Sequence, residues 1–349
     1  MISFRGNTIR RKEPCRLCGC FQGLEIGNVQ YWNLRQSALV RCPSCGMAQL
    51  DPMLNATETE KGCLAYYIEE TLRISRHDQK RNLIRNFRRG IHFGYFLKKK
   101  GIVPREILEL GPGSGYFCDG IRFVFPETSV SVMDINPEIL RFNKEQHQYQ
   151  IYQSLPEEYL SVLEKKFDLV IARDLIEHVS DIGKVLENIA AYLKPGGYFH
   201  FITPNGKEDV WKHYLRFLRQ DGRSELLINH VNYFDGKGLK NQLSERRFSP
   251  VTYYTYTFKT TLRGAGRRYS EKLMAPPSSA KDAGAFIQRA SEVRELSFNK
   301  KELLDLWYLR PGRKFFARLI CWYHHKTLLK VNPERQIGHE FFGLFQSRK

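Results

Sequence analysis

Apolar and polar positions change period several times along this chain, and the changes mark out its elements. Leu83, Ile84, Phe87 and Ile91 recur at helical spacing and form one stripe of a helical stretch between residues 61 and 103. Ile107-Leu108-Glu109-Leu110 reads as an apolar strand that runs straight into the turn Gly111-Pro112-Gly113-Ser114-Gly115. Ser129-Val130-Ser131-Val132-Met133-Asp134 alternates toward a second strand and ends on an acid, after which Asn136-Pro137 opens a helix. Phe167-Asp168-Leu169-Val170-Ile171-Ala172 is a near-continuous apolar run, as expected of a parallel strand covered on both faces. Val185, Leu186, Ile189 and Leu193 follow at helical spacing and Leu193-Lys194-Pro195-Gly196-Gly197 makes a turn. The next strand, Tyr198-Phe199-His200-Phe201-Ile202, leads into Thr203-Pro204-Asn205. Strands alternating with helices in this order predict an α/β domain on a doubly wound, largely parallel sheet.

The first turn carries the candidate chemistry. Glycines at alternate positions let the backbone bend sharply and approach a ligand that side chains would keep away. A dinucleotide fingerprint needs G-x-G-x-x-G, yet after Gly111, Gly113 and Gly115 the next residue is Tyr116; a phosphate loop would need Gly-Lys-Ser/Thr, which is also missing. Asp134 closes the second strand about where such a sheet offers a carboxylate to ribose hydroxyls, and Ile135 beside it offers an apolar face to a base.

A second signal precedes the α/β region. Cys15-Arg16-Leu17-Cys18-Gly19 and Cys42-Pro43-Ser44-Cys45-Gly46 are two C-x-x-C-G turns spaced for one tetrahedral zinc ion on four thiolates. Two disulfides are the competing reading. The first twelve residues are basic and lack the apolar core of a secretion signal, so an oxidising compartment is not expected and the chain reads as cytoplasmic. Cys20 is an alternative ligand, whereas Cys63, Cys118 and Cys321 read as small apolar residues. Four filled thiolate positions leave no open one, so the zinc would be structural.

Composition sets the scale. A chain of 349 residues with 42% hydrophobic content suffices for a full core and one or two small appendages, and no apolar run approaches the roughly eighteen residues needed to span a bilayer. The formal net charge is +18, and from residue 251 onward there are 19 Lys/Arg against 8 Asp/Glu. That tail interleaves aromatics with basic residues, as in Trp307-Tyr308-Leu309 and Phe315-Phe316-Ala317-Arg318, and admits three readings: a helical cap on the core, an interfacial membrane helix, or a nucleic-acid surface. Arg85, Arg88 and Arg89 around the earlier helical stripe form either a solvated basic face or an attractor for acidic substrates.

Taken together, the E-x-G-x-G-x-G turn at Glu109–Gly115, the stretch Phe167–Val179 and the stretch Leu193–Asn205 resemble the class I S-adenosylmethionine-dependent methyltransferases, in order and almost motif for motif. With the paired cysteine turns, residues 12–250 resemble bacterial methyltransferases that carry an N-terminal zinc-binding domain, nearest those acting on deoxysugars and in glycan clusters. The resemblance implies a Rossmann-like, seven-stranded core over residues 104–258 and a zinc module over 1–60; the residues themselves predict a helical connector over 61–103 and a basic, mainly helical extension over 259–349, and that extension does not match the C-terminal half of the sugar C-methyltransferases. It implies S-adenosylmethionine as cofactor, held by Glu109, Gly111, Gly113, Gly115, Asp134, Ile135 and Arg173, and zinc on Cys15, Cys18, Cys42 and Cys45.

In that group a segment E-H-x-x-Y-F supplies the general base. Here the stretch is Asn229-His230-Val231-Asn232-Tyr233-Phe234, so His230 and Tyr233 match as catalytic residues while Asn229 replaces the acid and removes a carboxylate that would raise the imidazole's basicity. The other reading of His230 is structural, with His178 or Asp174 then considered as base. The implied acceptor is a sugar, a sugar nucleotide or a lipid-linked glycan, with peripheral membrane contact through the extension. An RNA methyltransferase is the alternative. No Asn/Asp-Pro-Pro-Tyr/Phe signature of amino-group methylation of nucleic acid is present, and nucleic acid is the less favoured partner. A third alternative is a zinc-scaffolded binding protein that keeps the cofactor site without turnover.

Overall fold

The alternating segments around the cysteine turns pair into one sheet and the apolar runs of the middle of the chain into another. The structure is a computed structural model that describes residues 8–31, 35–55, 57–62, 76–210, 226–228, 230–258, 328–331 and 340–348. Strands β1 (Thr8–Arg10), β2 (Gln22–Tyr31), β3 (Arg35–Arg41) and β4 (Ala48–Asp51) form an antiparallel meander. Helix α1 (Arg76–Lys99) follows, then β5 (Glu106–Leu110), α2 (Tyr116–Val124), β6 (Ser129–Asp134), α3 (Pro137–His147) and β7 (Gln150–Gln153). Next come β8 (Phe167–Arg173), α4 (Ile182–Tyr192) and β9 (Leu193–Pro204). The remaining elements are β10 (Leu226–Ile228), β11 (Asn232–Tyr233), α5 (Gly236–Glu245), β12 (Phe248–Phe258), β13 (Leu328–Val331) and β14 (Glu340–Ser347).

The large sheet runs β13-β12-β14-β9-β8-β5-β6-β7 among the described residues. Its β9-β8-β5-β6-β7 portion is parallel, and β14, β12 and β13 are antiparallel additions. This is the Rossmann-like core that the sequence implies, its seven strands extended by the short β13. The chain adds strands on one side of β5 and then crosses to β8, so the carboxyl ends of β5 and β8 flank the crevice where open α/β sheets bind ligands.

Alternation along β5 explains its two covers. Leu108 and Leu110 join the cluster with Val185, Leu186 and Ile189 of α4, while Ile107 faces Phe117, Cys118 and Ile121 of α2. Helix α1 lies directly on α2 through Gly90 and Gly120: a Cβ on Gly90 would collide with the Phe117 carbonyl, and one on Gly120 with that of Phe87. Along the same face Leu83, Ile84, Phe87 and Ile91 of α1 pack in one cluster with Tyr116, the first residue of α2.

Two expected boundaries change. β14 is inserted between β9 and β12, pairing Phe341 with Thr203 and Thr255, so the end of the expected extension is a buried strand of the core. In the extension the described residues form strands; its remaining residues, including Trp307 and Phe315–Tyr323, lie outside the described ones. The N-terminal sheet is also not closed by residues 1–60, because β10 pairs with β2 and β11 with β4. No helix of the described residues is long and apolar enough to cross a membrane.

Candidate functional site

Gly111, Gly113 and Gly115 all take positive φ, at 62°, 53° and 69°. A Cβ on Gly113 would meet nothing within 4 Å, so the loop presents bare backbone to open space as a ligand cradle would. Its other side is bolted down from α3 and beyond. Asn143 Nδ2 donates to Gly113 O at 2.9 Å; His147 bridges Ser114 O at 2.9 Å and Asp119 Oδ2 at 2.7 Å; and the Tyr149 hydroxyl lies between Asp119 Oδ1 and Gly115 O. This support is a finding of the structure: in sequence Asn143 and His147 are polar residues of an amphipathic helix, one turn apart.

Three charged side chains surround the cradle. Glu109 is buried, and burial pushes its carboxyl up to about 7 against the opposing pull of Arg173 and a hydrogen bond with Cys118. Its Oε2 has no hydrogen-bond partner among the described residues. Arg173, at the end of β8, has its guanidinium carbon 3.9 Å from the centre of the Phe117 ring, and its Nε likewise lacks a partner. A carboxylate and a guanidinium left open beside one loop suit the ammonium and carboxylate of an amino-acid group. At the end of β6, Asp134 accepts from Asn136 N at 2.8 Å through Oδ1; burial raises its carboxyl to about 6, opposed by the backbone N–H groups of Asn136 and Ile135. Ile135 is half-buried next to it. The residues expected to hold S-adenosylmethionine thus gather at the carboxyl ends of β5, β6 and β8, and they fit its amino-acid and ribose groups.

Beside the turn that follows β8, the segment before β11 brings His230 into ring contact with His178, centroids 4.8 Å apart. His230 Nδ1 lies 2.5 Å from Asp209 Oδ2 on helical residues 206–210. Burial alone would lower the imidazole's pKa, but the hydrogen bond and charge of Asp209, with Glu177 and Asp174, hold it above its ordinary value. Donor atoms of Glu177, His178 and His230 lie within 4.8 Å of one another. Glu177 is buried and receives the Thr203 hydroxyl at 2.8 Å; desolvation pushes its carboxyl up, with His230 opposing. Asp174, just after β8, has a φ of 50°, an uncommon conformation for a residue with a side chain and one that concentrates at functional sites. Tyr233 stands 6.2 Å from His230, ring to ring, and is 3% exposed within the apolar cluster of the N-terminal sheet, which includes Tyr31 and Leu39. Asp209 was missed in the sequence because nothing local marks it as the partner of a histidine 21 positions on.

The four expected cysteines converge. Their sulfurs lie within 4.8 Å of one another, with Cys15–Cys45 at 3.6 Å and Cys18–Cys42 at 3.5 Å. A disulfide would need about 2.05 Å, whereas zinc–sulfur bonds of about 2.3 Å put tetrahedral sulfurs about 3.8 Å apart. The two turns are built alike: Gly19 N reaches Cys15 O at 2.7 Å and Gly46 N reaches Cys42 O at 2.9 Å, with both glycines near φ +75°. Hydrogen bonds among the thiols hold Cys15 below the usual thiol range and push its partner Cys45 above it. Cys20 stands apart, its sulfur 3.8 Å from Gln22 O.

Comparison with known proteins adds a family to this geometry. A family model described as a methyltransferase domain matches residues 75–253, just over half of the chain. The chain is 30% identical over 117 residues to a ubiquinone biosynthesis O-methyltransferase of Coxiella burnetii (strain Dugway 5J108-111), covering 33% of this chain and 50% of that protein. A protein of the same name from Paramagnetospirillum magneticum is 32% identical over 107 residues, covering 30% and 43%. The chain therefore spans about half the length of the curated relatives it matches. Among solved structures, the plantazolicin methyltransferase BpumL in complex with SAH aligns over 84% of this chain and 98% of that one, at 11% identity and a TM-score of 0.45.

Proposed function

Because the chain belongs to the methyltransferase-domain family, we propose that it transfers the methyl group of S-adenosylmethionine to a small-molecule acceptor, and that this acceptor is a saccharide: a sugar, a sugar nucleotide or the sugar of a lipid-linked glycan. The observation that carries the reading is the pairing of His230 with Asp209 beside the turn that follows β8. A carboxylate on Nδ1 fixes the neutral imidazole with its proton on that nitrogen, leaving Nε2 as the basic atom. The bound cofactor supplies a methyl already activated on a sulfonium. The protein's own task is then to align the acceptor and accept its proton. Alignment supplies roughly 7–11 kcal/mol in the best-oriented cases and a positioned base about 10²–10⁴-fold.

Each residue has a part in this reading. Glu109 and Arg173 hold the amino-acid end of the cofactor, Asp134 its ribose, and Ile135 one face of its base. His230 takes the proton of the acceptor hydroxyl at Nε2. Tyr233 forms the apolar wall behind His230. The small-molecule class is supported by the names of the relatives, and the saccharide by the resemblance of the cysteine module and the His230 segment. The four cysteines hold one structural zinc, a closed site with no coordination position left for chemistry.

The test is to incubate the purified, metal-replete protein with methyl-labelled S-adenosylmethionine and separate panels of sugar nucleotides, lipid-linked glycans, phenols and RNA. Label entering a saccharide, and lost in His230→Ala while S-adenosylhomocysteine still binds, supports the reading. Label entering RNA or a phenol overturns the saccharide assignment, and failure to bind the cofactor overturns the activity itself.

A further inference from the structure

A pair of buried amides joins the cysteine module to the segment that carries His230. Gln49, on β4, accepts at Oε1 from the Arg16 backbone N–H at 3.0 Å and from Arg11 Nη2 at 3.3 Å. Arg16 lies inside the first cysteine turn, between Cys15 and Cys18. With donors on Oε1, the other end of the amide must be Nε2, and it donates to Asn232 Oδ1 at 3.0 Å. Asn232 spends both amide hydrogens on carbonyls, those of Ile176 at 3.1 Å and Val179 at 2.7 Å. Neither amide can flip without setting acceptor against acceptor. Both are almost wholly buried, so the loss would not be made good by water.

The contact reaches both histidines. Ile176 and Val179 bracket Glu177-His178, the Glu177 carbonyl receives the backbone N–H groups of Val231 and Asn232 at 2.9 and 3.1 Å, and His230 lies two residues before Asn232. Other contacts press the same module against the same region. β11 pairs Asn232 with Gln49 and Tyr233 with Ala48; a Cβ on Gly238 would collide with the Cys45 carbonyl; and Arg246 Nη2 donates to Leu17 O at 3.1 Å. The hydrogen bonds that brace the glycine loop come instead from α3 and Tyr149.

We infer that Gln49 is a positioning residue, through which the cysteine module splints the His230 segment against the His178 loop and so organises the acceptor side of the site. The inference rests on His230 being the base. Whatever orders the four thiols, zinc in our reading, then controls turnover without touching either substrate.

Gln49→Glu is isosteric and replaces one donor by an acceptor facing Asn232 Oδ1. Gln49→Met removes the polar pair without adding a buried charge, should the first variant fold poorly. For the metal-loaded variants we expect S-adenosylhomocysteine to bind within about twofold of wild type, kcat to fall about tenfold or more, and amide hydrogen exchange across residues 230–234 to accelerate while that of 111–115 holds. Gln49→Glu should recover relative to wild type as pH falls, because protonation restores a donor. A variant that melts lower but keeps wild-type kcat and wild-type exchange at 230–234 would overturn the inference. If His230→Ala itself turns over normally, the base assignment fails, and the exchange measurement still decides whether Gln49 holds the segment.

Discussion

His230 Nδ1 and Asp209 Oδ2 stand 2.5 Å apart, and Asp209 thereby supplies from a neighbouring helix the carboxylate that Asn229 does not. The partnership sets the tautomer of the imidazole and raises its pKa in the face of a burial effect that works the other way. Asp209→Asn should therefore do two separable things. The lost charge lets burial prevail, so the acid limb of the pH–rate profile moves to lower pH. The less well fixed ring lowers the plateau, by about tenfold or more on the scale of an oriented general base. A profile with an unmoved limb would show that Asp209 does not govern the titrating group.

The sulfur cluster makes a second expectation. Metal analysis should return about one zinc per chain, and Cys42→Ser should lower the melting temperature, since metal affinity in such a site is folding free energy, roughly 10–16 kcal/mol in isolated zinc-finger peptides. Because β11 pairs with β4, the damage should extend beyond the module to residues 230–234. Protein purified without metal, with all four thiols reactive and its melting curve unchanged, would contradict this.

How much of this was legible in the sequence depended on how local each signal was. The runs at Ile107–Leu110 and Phe167–Ala172 became β5 and β8, because a strand covered on both faces is apolar along most of its length, and the alternating stretch Ser129–Asp134 became β6. The four cysteines were legible for the same reason, since a turn of fixed spacing aims its own sulfurs. β14 was not: its apolar residues follow a long basic stretch, and only pairing with Pro204–Tyr198 makes it the strand beside β9. Asp209, Gln49 and Asn232 were illegible too. Each is a polar residue whose worth comes from one partner elsewhere in the chain, and no periodicity records a partner.

At the end of β6, Asp134 offers a cleaner test as asparagine than as alanine. Its Oδ1 accepts from Asn136 N, a bond that shapes the turn into α3, and asparagine keeps that acceptor. Asp134→Asn should therefore leave the melting temperature close to wild type and weaken S-adenosylmethionine and S-adenosylhomocysteine alike. Hydrogen bonds to a charged group are worth about 1.5–3 kcal/mol, so the loss should be about tenfold or more in Kd by calorimetry. Equal affinity in variant and wild type would remove Asp134 from the ribose site.

In the proposed arrangement, with Glu109 against the cofactor's ammonium, cofactor binding depends on pH. The Glu109 carboxyl titrates near 7 in the folded protein because burial disfavours the charge, against an ordinary value of 4.5. Between those values the folded chain keeps a proton that the unfolded chain has released, so this group makes the cofactor-free protein less stable as pH rises through that window, by about 3 kcal/mol in all. A cationic ammonium beside Glu109 favours the ionised form. Cofactor affinity should accordingly fall as pH drops below about 7, with proton release on binding visible when calorimetry is repeated in buffers of different ionisation enthalpy. Glu109→Gln removes the charge and keeps the shape. At about pH 8 the free variant should melt above wild type and bind the cofactor more weakly, and from about pH 5.5 to 8 its affinity should lose the change centred near 7 and keep only the decline near 6, where Asp134 takes up a proton. Wild-type binding that is flat over the same range, with no proton exchanged, would show that the Glu109 carboxylate does not meet the ammonium.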